Sequence, residues 1–381
     1  MHRWPLVFAL ALVASCGSSP AESADASINP DARTAAPRDA SAIDALPEMR
    51  DAGRAVHVDL PTSPPTRTCG PEETFPRITG RPITVGGQPG FFHDEGHGYG
   101  YFNTFDALVA CPGATPRKTH VFLPRDYATS GRDYPVLYVN DGQTAFFTDN
   151  DIGRTWDLAG VLTELARCGE IDDVIVVAPH ELDRSAEYGH LPSVPGESCC
   201  QADAYATYLE SCLGGFIESQ YRVRRGRENT AIMGSSRGGL GAFWFATRTP
   251  VRFGHVAAVS SSFWVGIDDR TTGAVSDAAL QESALWAHAA PVILNPAARP
   301  AMWIDWGLVR TGGDHNAIVE SLATVRGREM VALIESQTGL THTGFAPGSP
   351  LVAIEDVDGD HTEDTWNVRV RWILRWMFPA R

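Results

Sequence analysis

The stretch TAIMGSSRGGLGAF, residues 230–243, places a serine between glycines directly after a short apolar run and directly before a run of helical period. Gly234-Ser235-Ser236-Arg237-Gly238 fits the pattern G-x-S-x-G, and a strand before it and a helix after it are the context a nucleophile elbow requires. The turn between them is tight, so a side chain at 234 or 238 would collide with neighbouring backbone. The competing reading is a plain glycine-rich corner, because five residues of this kind often occur by chance. Ser236 is the expected attacker, and Ser235 only fills the x position ahead of it. A serine hydroxyl is a poor nucleophile until a base takes its proton, and the oxyanion it creates needs donors. The rest of the chain has to supply both.

Outward from this stretch the pattern alternates. THVFLP, YPVLYV, DVIVVAP, NTAIMG, HVAAVSS, MWIDWG and LVAIED read as strands, several of them apolar throughout as in parallel sheets buried on both faces. VLTELARC, AYATYLESCLGGFIESQY, GGLGAFWFATRT, IVESLATVRGREMVALIESQ and DTWNVRVRWILRWMF read as helices. The alternation predicts an α/β protein, a mostly parallel sheet with helices on both faces. Residues 70–116, with FFHDEGHGYGYF, stand outside this rhythm and are expected as an N-terminal extension on the sheet edge. Residues 265–299 are expected as a helical or irregular insertion after a strand, where insertions usually shape a ligand site.

Taken in order, YPVLYVNDGQTAFF, ENTAIMGSSRGGLGAFWFATRTP, FGHVAAVSSSFW and GDHTEDTW resemble the esterase family of α/β-hydrolases. That family includes enterochelin-type esterases, S-formylglutathione hydrolases, feruloyl and acetylxylan esterases and the mycolyl-transferring antigens. The resemblance runs from about residue 117 to the C-terminus. It implies an α/β-hydrolase fold and serine chemistry on acyl esters, carbohydrate-linked or of siderophore type, with no cofactor and no metal.

The base is expected at His361, which follows the last predicted strand and precedes the last helix; His315 and His342 read as loop or surface histidines. The acid should lie between serine and histidine in chain order, just beyond MWIDWG. Asp314 in LVRTGGDHN resembles the family's aspartate after a glycine-containing turn, and Asp305, inside the strand, is the runner-up, with a salt-bridging role as its plainer reading. The oxyanion donors are expected to be the N–H of Arg237, next after the nucleophile, and the N–H of Gln143 in Asn140-Asp141-Gly142-Gln143, which is similar to the family's L-D-G-x turn. ELDRSAEYGH resembles the family's R-x-x-E-Y segment, so Arg184, Glu187 and Tyr188 are expected to touch substrate or brace the loop. Phe263 and Trp264 are candidates for an acyl or aryl pocket wall, or for the core. EDVDGDHTED misses the spacing of a calcium loop, so no metal is assigned there.

The N-terminus bears on the compartment. MHRWPLVFALALVASC has a charged start, an apolar stretch too short for a permanent span, and a Val13-Ala14-Ser15-Cys16 ending that resembles a bacterial lipobox. Residues 1–15 are read as a lipoprotein signal peptide, Cys16 as the lipidated anchor to a membrane, and 16–68 as a linker rich in Ala, Asp, Ser and Pro. The competing reading is an ordinary cleaved secretion signal; both export the protein. Residues 69–381 form the expected esterase domain, with 69–116 as its extension.

Thirty-one basic against 46 acidic residues give a net charge of -15, which excludes the basic face that nucleic-acid phosphates demand. Six cysteines beyond Cys16 in an exported chain predict disulfides, with Cys69–Cys111 as the first pairing and Cys199 and Cys200 serving separate partners. Two further functions fit the sequence: acyl transfer to an alcohol in place of water, and a surface-binding module on a hydrolase scaffold without catalysis.

Overall fold

The computed structural model describes residues 60–61 and 68–381; the expected signal peptide, Cys16 and nearly all of the expected linker lie outside the described residues. The strands are β1 (Ile78–Val85), β2 (Gln88–Asp94), β3 (Gly100–Leu108), β4 (Arg117–Pro124), β5 (Val136–Val139), β6 (Ile175–Pro179), β7 (Thr230–Ser235), β8 (His255–Val259), β9 (Ala301–Gly307) and β10 (Leu351–Asp356). They form one sheet in the order β1-β2-β3-β4-β6-β5-β7-β8-β9-β10. β6, β5, β7, β8, β9 and β10 run parallel, while β1 to β4 are antiparallel and β4 joins β6 antiparallel.

The strand pattern explains why both faces are covered. β5 and β7 are buried at every residue, and their side chains alternate between two apolar layers. Val136, Tyr138 and Ile232 enter the layer that also holds Leu240 and Phe243 of the helix Arg237–Arg248. Leu137, Val139, Ala231 and Met233 enter the other, with Leu162 of the helix Leu158–Arg167 and Ile373 of the helix Glu363–Met377. Each large apolar side chain buried this way stabilises the sheet by roughly 1.5–3 kcal/mol.

Residues 78–108 form three antiparallel strands on the sheet edge, as the position of the extension predicts, but β1 is almost wholly exposed and so carries no apolar alternation to reveal it. The insertion 265–299 holds the helix Ala284–Ile293, whose Leu285, Trp286 and Ile293 join the core. Contrary to expectation it contributes nothing to the cavity described below.

The disulfides correct the predicted pairing. Cys69 joins Cys168 and Cys111 joins Cys212, so each end of the extension is tied to the body instead of to the other end, and Cys199 and Cys200 join each other. Cys168 caps the helix Leu158–Arg167, where Gly70 N–H also donates to the Arg167 carbonyl at 2.9 Å. The two long bridges span 99 and 101 residues, and cross-links of that reach stabilise by about 2–5 kcal/mol each. Guanidinium unfolding with and without reductant is expected to separate by that order; coincident curves would contradict it.

Candidate active site

Three neighbouring parallel strands end in residues with positive φ. Asp141, just past β5, has φ 59°; Ser236, after β7, has 53°; and Ser260, after β8, has 40°. None is a glycine, and each such residue costs about 1–3 kcal/mol that the surrounding structure must offset. At Ser236 the hold is explicit: its N–H donates to Val259 O at 2.8 Å, and its carbonyl accepts from Ser262 N–H at 3.0 Å and Leu240 N–H at 3.1 Å. A Cβ at Gly234 would lie 2.4 Å from Gly238 O, and one at Gly238 would lie 2.5 Å from Asp141 Oδ2. The glycines are therefore required by close approach, and the chain presents Ser236 at the tip of a true elbow.

Ser236 and His361 line one cavity of about 1660 Å³. His361 is buried, and its Nε2 has no hydrogen-bond partner among the described residues. Its Nδ1 donates to Glu320 Oε2 in a short contact, and its backbone N–H donates to Asn316 Oδ1 at 2.9 Å. The Ser236 hydroxyl has a single long neighbour, Ser262 Oγ at 3.5 Å.

The carboxylate that holds His361 is thus Glu320, and this corrects both expected acids. Asp314 is exposed at the start of the helical segment His315–Glu320 and does not reach His361. Asp305 is fully buried but accepts from Arg369 Nη1 at 2.7 Å, Trp303 Nε1 at 2.7 Å and Ser260 N–H at 3.1 Å, so the salt-bridging reading applies to it. Glu320 lies one turn further into a segment whose i→i+5 winding departs from the α-helix. The sequence carried one sign of it: in IVESLA, Val319, Leu322 and Ala323 are buried, and a lone glutamate shares their face.

Glu320 is well satisfied. Oε1 accepts from Ser260 Oγ–H at 2.9 Å and from Gly307 N–H, and Oε2 from His361. Behind it the fully buried Arg369 pairs with Asp305 and with Asp356 at 3.2 Å, and donates to Ser260 Oγ at 2.9 Å. Burial opposes the charge on Glu320, but the His361 hydrogen bond and charge, Arg369 and the Gly307 N–H outweigh it and hold the carboxyl at about 2. A carboxyl depressed on folding stabilises above its unfolded value, near 4.3, and that contribution disappears as pH falls toward 2. Thermal melts between pH 5 and 2 should therefore fall more steeply for the wild type than for Glu320→Gln; parallel curves would contradict the assignment.

Of the expected oxyanion donors, Gln143 lines the cavity and Arg237 directly follows Ser236 on the elbow. Arg237 begins the helix Arg237–Arg248 and Gln143 is second in the short helix Gly142–Ala145, so intrahelical bonding leaves both amides free. The Gln143 loop is braced from two directions. Asn140 Nδ2 donates to Gly238 O at 2.8 Å, and Arg184 clamps Asp141 through Nε at 2.7 Å and Nη2 at 2.9 Å. The Arg237 side chain points elsewhere, to Glu197 at 2.7 Å and Ser193.

Arg184 lines the cavity, but Tyr188 and Trp264 do not, which corrects their expected contact with substrate. Tyr188 is fully buried and its hydroxyl oxygen accepts from Asp141 N–H at 2.9 Å, so it positions the loop. Glu187 pairs with buried Arg117 at 2.7 Å, and Trp264 and Phe263 belong to the core. Of the competing histidines, His342 pairs with Glu335 at 2.6 Å outside the cavity. His315 is exposed, as its surface reading has it, yet it lines the cavity with its ring 5.8 Å from that of His361, and partial burial lowers its pKa.

With elbow, histidine, carboxylate and loop in place, the class is that of an α/β-hydrolase. The family described as "Putative esterase" matches residues 114–377, more than half of the chain, and the chain belongs to it. An esterase of Mycobacterium tuberculosis is 34% identical over 144 residues, which cover 37% of this chain and 28% of that protein. The chain therefore spans less than a third of the length of that relative. Among solved structures, the enterobactin esterase from Shigella flexneri superposes with a TM-score of 0.51 at 15% identity, covering 81% of this chain and 61% of that one. The protein named BES from Bacillus cereus does so at 0.51 and 14% identity, covering 73% and 94%. At such identities these structures show the shared fold.

Proposed function

We propose that this chain is a serine carboxylic-ester hydrolase that works through an acyl-enzyme. Ser236 attacks the ester carbonyl while His361 Nε2 takes its proton and returns it to the leaving alcohol. Glu320 fixes the imidazole with Nδ1–H turned to the buried carboxylate and stabilises the imidazolium, the part an aspartate plays in the familiar triad. The amides of Gln143 and Arg237 receive the oxyanion, and water then releases the acyl group through the same histidine. The observation that carries this reading is a buried imidazole with Nδ1 engaged and Nε2 open, in the cavity that also holds the elbow serine.

Family membership and the esterase relative support ester hydrolysis, and the sequence resemblance set out above favours acyl esters linked to carbohydrate or to a siderophore. The lipobox-like N-terminus and the disulfides support export, with anchoring through Cys16. Turnover of short p-nitrophenyl esters, compared with feruloylated and acetylated sugars, tests the function: hydrolysis of the activated esters is expected, and no hydrolysis of any ester would refute it.

A further inference from the structure

The family match begins at residue 114, but the cavity does not. Thr79 of β1, Phe91 and His93 of β2 and Thr104 of β3 line it as well, so the extension supplies a wall of the candidate active site. One chain of hydrogen bonds knits that wall to the hydrolase sheet. His93 Nε2 meets Thr104 Oγ1 at 2.9 Å, Thr104 Oγ1 meets His120 Nδ1 at 2.8 Å, and His120 Nε2 meets His180 Nε2 at 3.1 Å. His120 lies on β4 and His180 follows β6, so the chain links four neighbouring strands. Half-buried His180 ends it on the cavity side, and its Nδ1 meets no partner among the described residues.

The His120–His180 end of this wall is polar without being cationic. Burial holds His120 well below its ordinary value and His180 at about 4, so both imidazoles are neutral near pH 7. The Thr104 hydroxyl and both ring nitrogens of His93 and His120 are engaged within the wall, which leaves Thr79 and His180 as the groups that can donate to and accept from a substrate hydroxyl. The rest of the lining holds seven carboxylate residues (Glu95, Asp141, Asp149, Asp151, Glu181, Asp360 and Glu363) against three cations, Lys118, Arg154 and Arg184, the last already clamped to Asp141. An anionic group entering this space meets an excess of like charge. Phe91 and Phe147 add apolar faces on which a ring can rest.

We propose that the wall of Thr79, Phe91, His93, Thr104, His120 and His180 is a subsite for an uncharged, hydroxyl-bearing part of the ester substrate, and that the N-terminal extension thereby sets specificity against anionic esters. The proposal rests on the hydrolase reading above and narrows it. The Cys69–Cys168 and Cys111–Cys212 bridges hold both ends of the extension, keeping the wall in register with Ser236.

The test uses methyl 4-O-acetyl-glucopyranoside, the matching 4-O-acetyl-glucuronopyranoside, which differs by a carboxylate, and p-nitrophenyl acetate as a small reference. The wild type is expected to favour the glucoside over the glucuronide about tenfold or more in kcat/KM. Phe91→Ala and His180→Phe should each lower the glucoside-to-reference ratio of kcat/KM about tenfold, chiefly through KM. Thr79→Val, on exposed β1, provides a variant with little risk to folding, and fluorophosphonate labelling of Ser236 reports whether each variant keeps its site. Equal or better use of the glucuronide, a glucoside ratio unchanged in all three variants, or hydrolysis of the reference with neither sugar ester accepted would each overturn the proposal. Absence of both reference hydrolysis and Ser236 labelling would instead overturn the hydrolase reading itself.

Discussion

Replacing Ser236 with alanine is expected to lower kcat on p-nitrophenyl butyrate by about 10⁴-fold or more, with little change in stability. Serine nucleophiles that act as a unit with their histidine lose nearly all catalysis when removed, leaving only the share due to the oxyanion hole and binding. Here the deletion removes one hydroxyl whose single neighbour, the buried Ser262 Oγ, is 3.5 Å away, a contact too long to contribute much stability. Circular dichroism and melting of the variant should match the wild type. A variant that folds and retains turnover within tenfold would place the chemistry on another residue.

The second large effect belongs to Glu320. Glu320→Gln keeps the size of the side chain but removes the charge facing His361 and presents an amide where a carboxylate accepted three hydrogen bonds. Loss of the equivalent charge in a serine triad costs about 10⁴-fold in kcat through the wrong imidazole tautomer. A loss of about 10³–10⁴-fold is expected here. Asp314→Asn, by contrast, alters an exposed residue at the start of the segment and should leave kcat/KM within about threefold. Opposite results for the two variants would return the acid to the loop after β9.

How much of this was legible in the sequence depends on how local each feature is. The elbow, the histidine before the last helix and the Asp141-Gly142-Gln143 loop are short stretches whose roles follow from strand, turn and helix in order, and the structure places them around one cavity. Glu320 was missed because chain-order logic looks for the acid immediately after the strand, whereas the i→i+5 winding of His315–Glu320 carries a later residue back to His361. Its only trace was a charge on a buried helical face. Tyr188 and Trp264 show the opposite error, since aromatic residues near a site are more often packed than presented. Disulfide pairing depends on where the ends of the extension meet the body, which no spacing encodes. The outermost strand was hidden for a related reason: β1 buries almost nothing, so period-two patterning had no selective cause there.

In the proposed mechanism Ser236 is activated by His361, which is held on Glu320. Mass-spectrometric mapping after fluorophosphonate treatment tests it most directly: one adduct is predicted, on Ser236, with its rate of formation slowed about 100-fold or more in His361→Ala. An adduct on any other serine, or labelling of Ser236 at the wild-type rate without His361, would contradict the claim.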